Sequence, residues 1–314
     1  PLIETTHKDA GDTNGLLKKQ WPLDSLPKLD VDFKLEVEKV RLDELDFSQV
    51  IFDGNLTGKN LKLSISDQAK MLAIKINLRP QNKQWQIDFI DKSKLDLGAV
   101  IESKGDKADR SSAPVTLNID LTATGLSFFD MLASADGHID VFVGEGRLSE
   151  EISDYLPLGN VLLSVLDSLG KEQQTKQVQL ECAVMHMDVS QGIGTSRQAL
   201  ALQTDRLNVL GGGAIKLDNG EMDIQFKTLQ RQGLGLSVSE VASNYIRLTG
   251  TLDNPKSDVN VEGIVRHGGA AWLTGGLSLL VKGVTARLTA VGNPCESVRQ
   301  SLAEGKKDDA KSGQ

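Results

Sequence analysis

Aromatic side chains make up only 4% of this sequence, and the supply of histidine (4) and cysteine (2) is smaller still. So few rings argue against a surface that stacks bases or sugars and suit a smooth aliphatic lining. The histidines His7, His138, His186 and His267 are scattered, and none stands in a nucleophile–base signature, so no enzyme is expected. There is no basic excess. The formal charge of -8 repels phosphates, and no basic stripe with interleaved aromatics offsets it locally, which excludes nucleic acid as a partner. No apolar run reaches the roughly 18 residues of a membrane span; the nearest approach, Gly268 to Val291, is broken by Lys282 and Arg287. The chain opens on Pro1 with no basic segment leading into an apolar one, so any targeting or anchoring segment is expected to have been removed or to lie upstream. Cys182 and Cys295 are too few to form a disulfide scaffold; they either pair, as an oxidising compartment allows, or stay as buried thiols.

What is abundant is alternation. In a chain of 314 residues, long enough to bury a core without metal or disulfide, Val31, Phe33, Leu35 and Val37 alternate with Asp32, Lys34, Glu36 and Glu38. That is a half-buried strand with a charged face in water. The period returns at Leu61, Leu63, Ile65; at Leu72, Ile74, Ile76, Leu78; at Trp85, Ile87, Phe89; and at Val115, Leu117, Ile119, Leu121. It continues through Ile139, Val141, Val143; Val178, Leu180, Cys182, Val184; Leu200, Leu202; Leu207, Val209; Ile215, Leu217; Met222, Ile224, Phe226; and Ile246, Leu248, Leu252. Polar turns stand between runs at Asp53-Gly54-Asn55, Gly144-Glu145-Gly146, Gly192, Asp218-Asn219-Gly220 and Asp253-Asn254-Pro255. Gly211-Gly212-Gly213 lacks the Lys and Ser/Thr of a phosphate loop and reads as one more turn. The predicted fold is mainly β, a long antiparallel meander with a few short helices.

Three segments break the two-residue period. One is short, around Leu126 to Leu132. A second, 149–170, places Leu158, Leu162, Val165, Leu166 and Leu169 at helical spacing and stops at Gly170. The third, Ala270 to Val291, sets Leu273, Leu277, Leu280, Val284, Leu288 and Val291 on one helical face. The organisation expected is therefore a linker over 1–28, an antiparallel β-groove over 29–265 with the helical insertion near 149–170, a helical cap over 266–295 and a mobile tail over 296–314.

A metal pair of Cys182 and His186 is ruled out by geometry, because four residues of strand separate them by about 13 Å. Carboxylates such as Asp32, Glu36 and Glu38 take outward strand positions, the pattern of a solvated face. No cofactor and no metal site is expected. A bridge between Cys182 and Cys295, if formed, ties the foot of the last helix to a mid-sheet strand.

These residues also carry a family likeness. The stretch VTLNIDLTATGLSFFDMLASADGHIDVFVGEGRL (Val115 to Leu148) resembles a unit of strand, short turn-helix and strand found in AsmA-like proteins. The block Leu180 to Phe226, the phrase LTGTLDNPKSDV at Leu248 to Val259, GNPC at Gly292 to Cys295 and the opening Trp21 to Val50 are similar to their C-terminal region, in the same order. The resemblance covers about Trp21 to Cys295. It implies a periplasmic β-sheet curled into a hydrophobic groove, with an inner-membrane anchor and further β-repeats upstream. It also implies a part in moving phospholipid towards the outer membrane and keeping that membrane intact.

About a dozen strands at roughly 4.8 Å make a sheet near 60 Å long, with aliphatic side chains on one face. The lipid-contacting residues expected are Val31, Phe33, Leu35, Val37, Leu61, Leu63, Ile74, Ile76, Val115, Leu117, Ile119, Leu121, Leu200, Leu202, Ile215, Leu217, Ile224 and Phe226. Alternation by itself equally describes two sheets covering each other in a sandwich, and the resemblance is what favours a groove. The expected partner is a phospholipid or other acyl-chain lipid. The alternative is a structural envelope protein that assists outer-membrane assembly through protein partners.

Overall fold

The computed structural model describes residues 18–21, 29–42, 45–96, 113–149, 177–205, 207–230, 245–252, 254–259, 293–300 and 302. The two longer helices expected from the sequence, at 149–170 and Ala270 to Val291, fall outside them almost entirely. The period-two segments form β1 (Leu29–Leu42), β2 (Leu45–Gly58), β3 (Asn60–Asp67), β4 (Ala73–Gln81), β5 (Gln84–Asp91), β6 (Lys94–Asp96) and β7 (Pro114–Gly125). After helix α1 (Phe128–Ala133) come β8 (Asp136–Val143), β9 (Gly146–Ser149), β10 (Gln177–Ser190), β11 (Ile193–Thr204), β12 (Leu207–Lys216), β13 (Glu221–Gln230), β14 (Tyr245–Thr251) and β15 (Asn254–Val259). All belong to one 15-stranded sheet in which neighbours follow chain order, every pair antiparallel; β6 and β9 are side strands that pair with β7 and β10. No described helix is long and apolar enough to cross a membrane.

Local chemistry explains the joints. Asn82 and Lys83 both take positive φ (48° and 65°), which gives the β4–β5 hairpin the twist its strands need without any glycine. Helix α1 starts at a capping box in which Ser127 accepts from the Asp130 amide while Asp130 accepts from the Ser127 amide. A second helix, α2 (294–300), opens with Asn293, whose Oδ1 accepts from the Glu296 amide at 3.0 Å, followed by Pro294, which has no amide to leave unpaired. Its residues overlap the stretch expected to be a mobile tail from 296.

Two expected turns are strand interior. Gly54 lies in the middle of β2 with the Phe33 ring over it, and Gly211-Gly212-Gly213 continues β12 without a break. In both places glycine answers to close packing: a Cβ on Gly211 would sit 2.5 Å from the Phe226 ring, and one on Gly213 would sit 2.3 Å from the Asp223 carbonyl oxygen. The apparent alternation of Leu180, Cys182 and Val184 is also interrupted. A register shift between Leu180 and Cys182 inserts one residue, so Leu180 packs with Val115 on one face while Cys182 and Val184 turn to the other.

Candidate functional site

Residues directly opposite one another in an antiparallel pair share a face, so the registers trace each face across the sheet. One row runs Phe33, Gly54, Leu63, Ile76, Phe89, Leu121, Gly137, Val189, Gly194, Ile215, Met222, Gly250, Pro255, one residue from each strand of the main path, with no polar side chain in it. At about 4.8 Å per strand it is about 58 Å long. Flanking rows carry Leu35, Phe52, Ile65 and Ile74 on one side, where the buried Asp91 interrupts the apolar run before Ile119, and Val31, Leu56, Leu61, Leu78, Ile87 and Ala123 on the other. Leu117–Val141–Met185–Leu200 and Val115–Val143–Ala183–Leu202 extend the same face further along the strands. Every expected lining residue falls on this apolar face, with Leu217 just past the end of β12.

Exposure along the face is graded. On β1, Val31, Phe33 and Leu35 are 43%, 40% and 56% exposed, while Val37 is half-buried. Leu61, Leu63, Ile74, Ile76, Leu117, Ile119 and Leu121 are half-buried and Val115 is buried. From β10 onward the face closes: Met187 of β10 joins Leu200, Val209, Ile215, Met222, Ile224, Ile246 and Leu248 in the largest buried cluster among the described residues, with Leu202 and Phe226 packed against its edges. The face is thus open at the β1 end and buried at the β10–β14 end.

Its two rims are walled. At one, Trp85, Ala123, Met131 of α1, Ala135 and Val189 form a buried cluster. Trp21 docks there: its amide donates to the Leu126 carbonyl at 2.6 Å and its own carbonyl accepts from Trp85 Nε1 at 2.8 Å, so part of the expected linker belongs to the wall. At the opposite rim Phe47 and Val50 are buried among Val40, Phe52, Ile65, Met71, Leu72 and Leu95. The resulting form is an apolar trough that runs across the strands.

The other face is polar over β1–β8. Asp88 accepts from Arg79, Asn77 and Thr122, and the arginine holds its carboxyl below the usual range against the upward push of burial. Further along, Asp140, 2% exposed, accepts from Asn118 Nδ2 at 2.8 Å and pairs with Nδ1 of His186, whose Nε2 lies 3.3 Å from Asp188. The hydrogen bond to Asp140 raises the His186 pKa from its ordinary value. At Asp223, Arg247 closes a bidentate pair at 2.9 and 2.6 Å. These groups tie neighbouring strands together. Among the described residues no set of three or more His, Cys, Asp or Glu is placed to share a metal ion.

The polar face changes character over β8–β12. Phe142, Cys182, Val184, Ala199, Ala201 and Leu210 form an apolar patch covered by Cys295, Val298 and Leu302 of the α2 region. Cys182 and Cys295 form a disulfide with Cα atoms 6.4 Å apart, 113 residues apart in sequence. The bridge fastens the start of α2 and therefore lies on the side of the sheet away from the trough. The α2 helix was signalled by Asn293-Pro294, a cap followed by a first-turn proline. The His186–Asp140 pair carried no local signal, because the β8–β10 register depends on strands that residues 150–176 separate in sequence.

Compared with models of known protein families, with curated proteins and with solved structures, the chain matches none.

Proposed function

We propose that this chain is a lipid-binding module that shelters acyl chains in its trough as part of phospholipid movement through the bacterial envelope. The observation that carries the reading is the thirteen-strand row without a polar side chain, left half-exposed over β1–β8. Large contiguous apolar surface on a folded chain calls for an apolar occupant. An acyl chain needs dispersion contacts and exclusion of water, and it asks for no hydrogen-bond donor from the floor. The disulfide agrees with an oxidising compartment such as the periplasm, and the likeness to AsmA-like proteins supplies the envelope setting. On this reading the chain performs no reaction and needs no cofactor.

A second reading, docking of envelope proteins, draws on β1, whose Val31, Phe33 and Leu35 stand exposed at the end of the strand order. A photo-crosslinker in place of Leu117 or Ile76 separates the two. Adducts to lipid, together with lipid released on solvent extraction of the purified protein, support the first. Adducts to polypeptide alone, from protein that neither carries nor takes up lipid, overturn it.

A further inference from the structure

We propose that the Cys182–Cys295 bridge is a redox clasp that holds the closed end of the trough shut from the opposite face of the sheet. The α2 helix is too short to persist by its own hydrogen bonding. What holds it is the bridge and the small cluster of Cys295, Val298 and Leu302 on Phe142, Val184 and Leu210. This cluster spans β8, β10, β11 and β12. Across the same strands the trough face passes from half-buried Val141 and Met185 to buried Leu200 and Val209. The strands beneath α2 are also where the ladder is least regular. One extra residue interrupts β10 between Leu180 and Cys182, and β11 carries extra residues between Ser196 and Leu200 that shift its register against both β10 and β12. Each shift removes ladder hydrogen bonds and bends the strand. A brace laid over those shifts holds the irregular strands beneath the buried part of the face in register.

Release needs a dithiol of the thiol–disulfide exchange class. Two electrons and two protons pass from it, the Cys182–Cys295 sulfur–sulfur bond becomes two thiols, and the dithiol becomes a disulfide. The freed Cys182 thiol then has acceptors in place, Asn293 Oδ1 at 3.7 Å and Gln203 Oε1 at 3.9 Å. Asn293 Oδ1 also caps α2, accepting from the Glu296 amide, and its second lone pair is open to the thiol. Reduction thus removes the tether and leaves α2 held by its cap and its small apolar cluster. The clasp concerns packing alone and stands or falls separately from the lipid reading.

Native-state hydrogen exchange on the full oxidised chain, with and without dithiothreitol, tests it. The expected result is that amides of β10, β11 and β12 exchange at least tenfold faster after reduction while β3 to β5 keep their rates. The Cys182→Ser/Cys295→Ser variant should show the same pattern without reductant; the reduction of protein already folded decides the matter if that variant fails to fold. Acceleration confined to 293–302, acceleration equal over β3 to β5, or no acceleration overturns the clasp.

Discussion

At Gly213 and Gly54 the same substitution meets different obstacles. An alanine methyl at Gly213 would lie 2.3 Å from the Asp223 carbonyl oxygen and 2.6 Å from the Ile224 Cα, both backbone of the neighbouring strand, so the strands must part. At Gly54 the nearest atoms it meets are those of the Phe33 ring, the end of a side chain that is 40% exposed and so has solvent to move into. Gly213→Ala should therefore cost at least about 2 kcal/mol in urea unfolding, and Gly54→Ala less than about 1. Equal costs would show that Phe33 is fixed as firmly as backbone. His186 has a raised pKa, from its hydrogen bond to Asp140 first and from the charges of Asp140 and Asp188. A raised pKa means the protonated ring binds better in the folded state. Its contribution is complete below the unfolded value of about 6.5 and fades as pH rises through the higher folded value. The stability gap between the wild type and His186→Gln should be widest near pH 5.5 and narrow steadily towards pH 9; a gap that widens with pH reverses the assignment.

Individual elements differ in how openly the sequence announces them. Strands with one wet face are written in period two, and β1, β3, β4, β5 and β7 are legible from that alone. Short helices are written in their caps. Ser127 and Asp130 form a reciprocal box, and Ser127 is 3% exposed, so Ser127→Ala removes a cap that water cannot replace. The expected loss is about 1 kcal/mol in thermal or urea unfolding, with the near-ultraviolet signal of neighbouring Trp85 as a local probe. An unchanged midpoint would mean α1 is held only by Met131 packing into the wall. Glycine misleads at this scale: Gly54 and Gly211 to Gly213 carry the composition of a turn and the geometry of a strand. Only the cross-strand neighbour reveals that the missing side chain makes room for a ring or a backbone. The bulge near Glu181 is equally silent, since Leu180, Cys182 and Val184 keep an unbroken apolar rhythm while the chain reverses its faces beneath them.

Across the whole molecule, the trough's openness changes between β8 and β11, and a charge should be tolerated or not accordingly. Leu63→Glu with Ile76→Glu places two carboxylates at adjacent half-buried floor positions, where they can reach water, so the fold should survive while binding of an acyl-chain probe falls at least tenfold. Ile224→Glu, at a position 1% exposed, should instead destabilise the chain by about 3 kcal/mol or more. Urea unfolding beside a fluorescent fatty-acid titration reads both, and retained probe binding in a well-folded floor variant would remove lipid from the trough. The sequence by itself determined the strand-rich antiparallel meander and the identity of its apolar face, because a period of two is a local property that any pairing must respect. It also offered Cys182 and Cys295 as a pair. Only the tertiary structure decided that one row crosses the whole sheet without a polar side chain, that the face closes from β10 onward, and that the disulfide grips the far side of the sheet. Those outcomes depend on register, bulges and curvature, which arise between strands rather than along them.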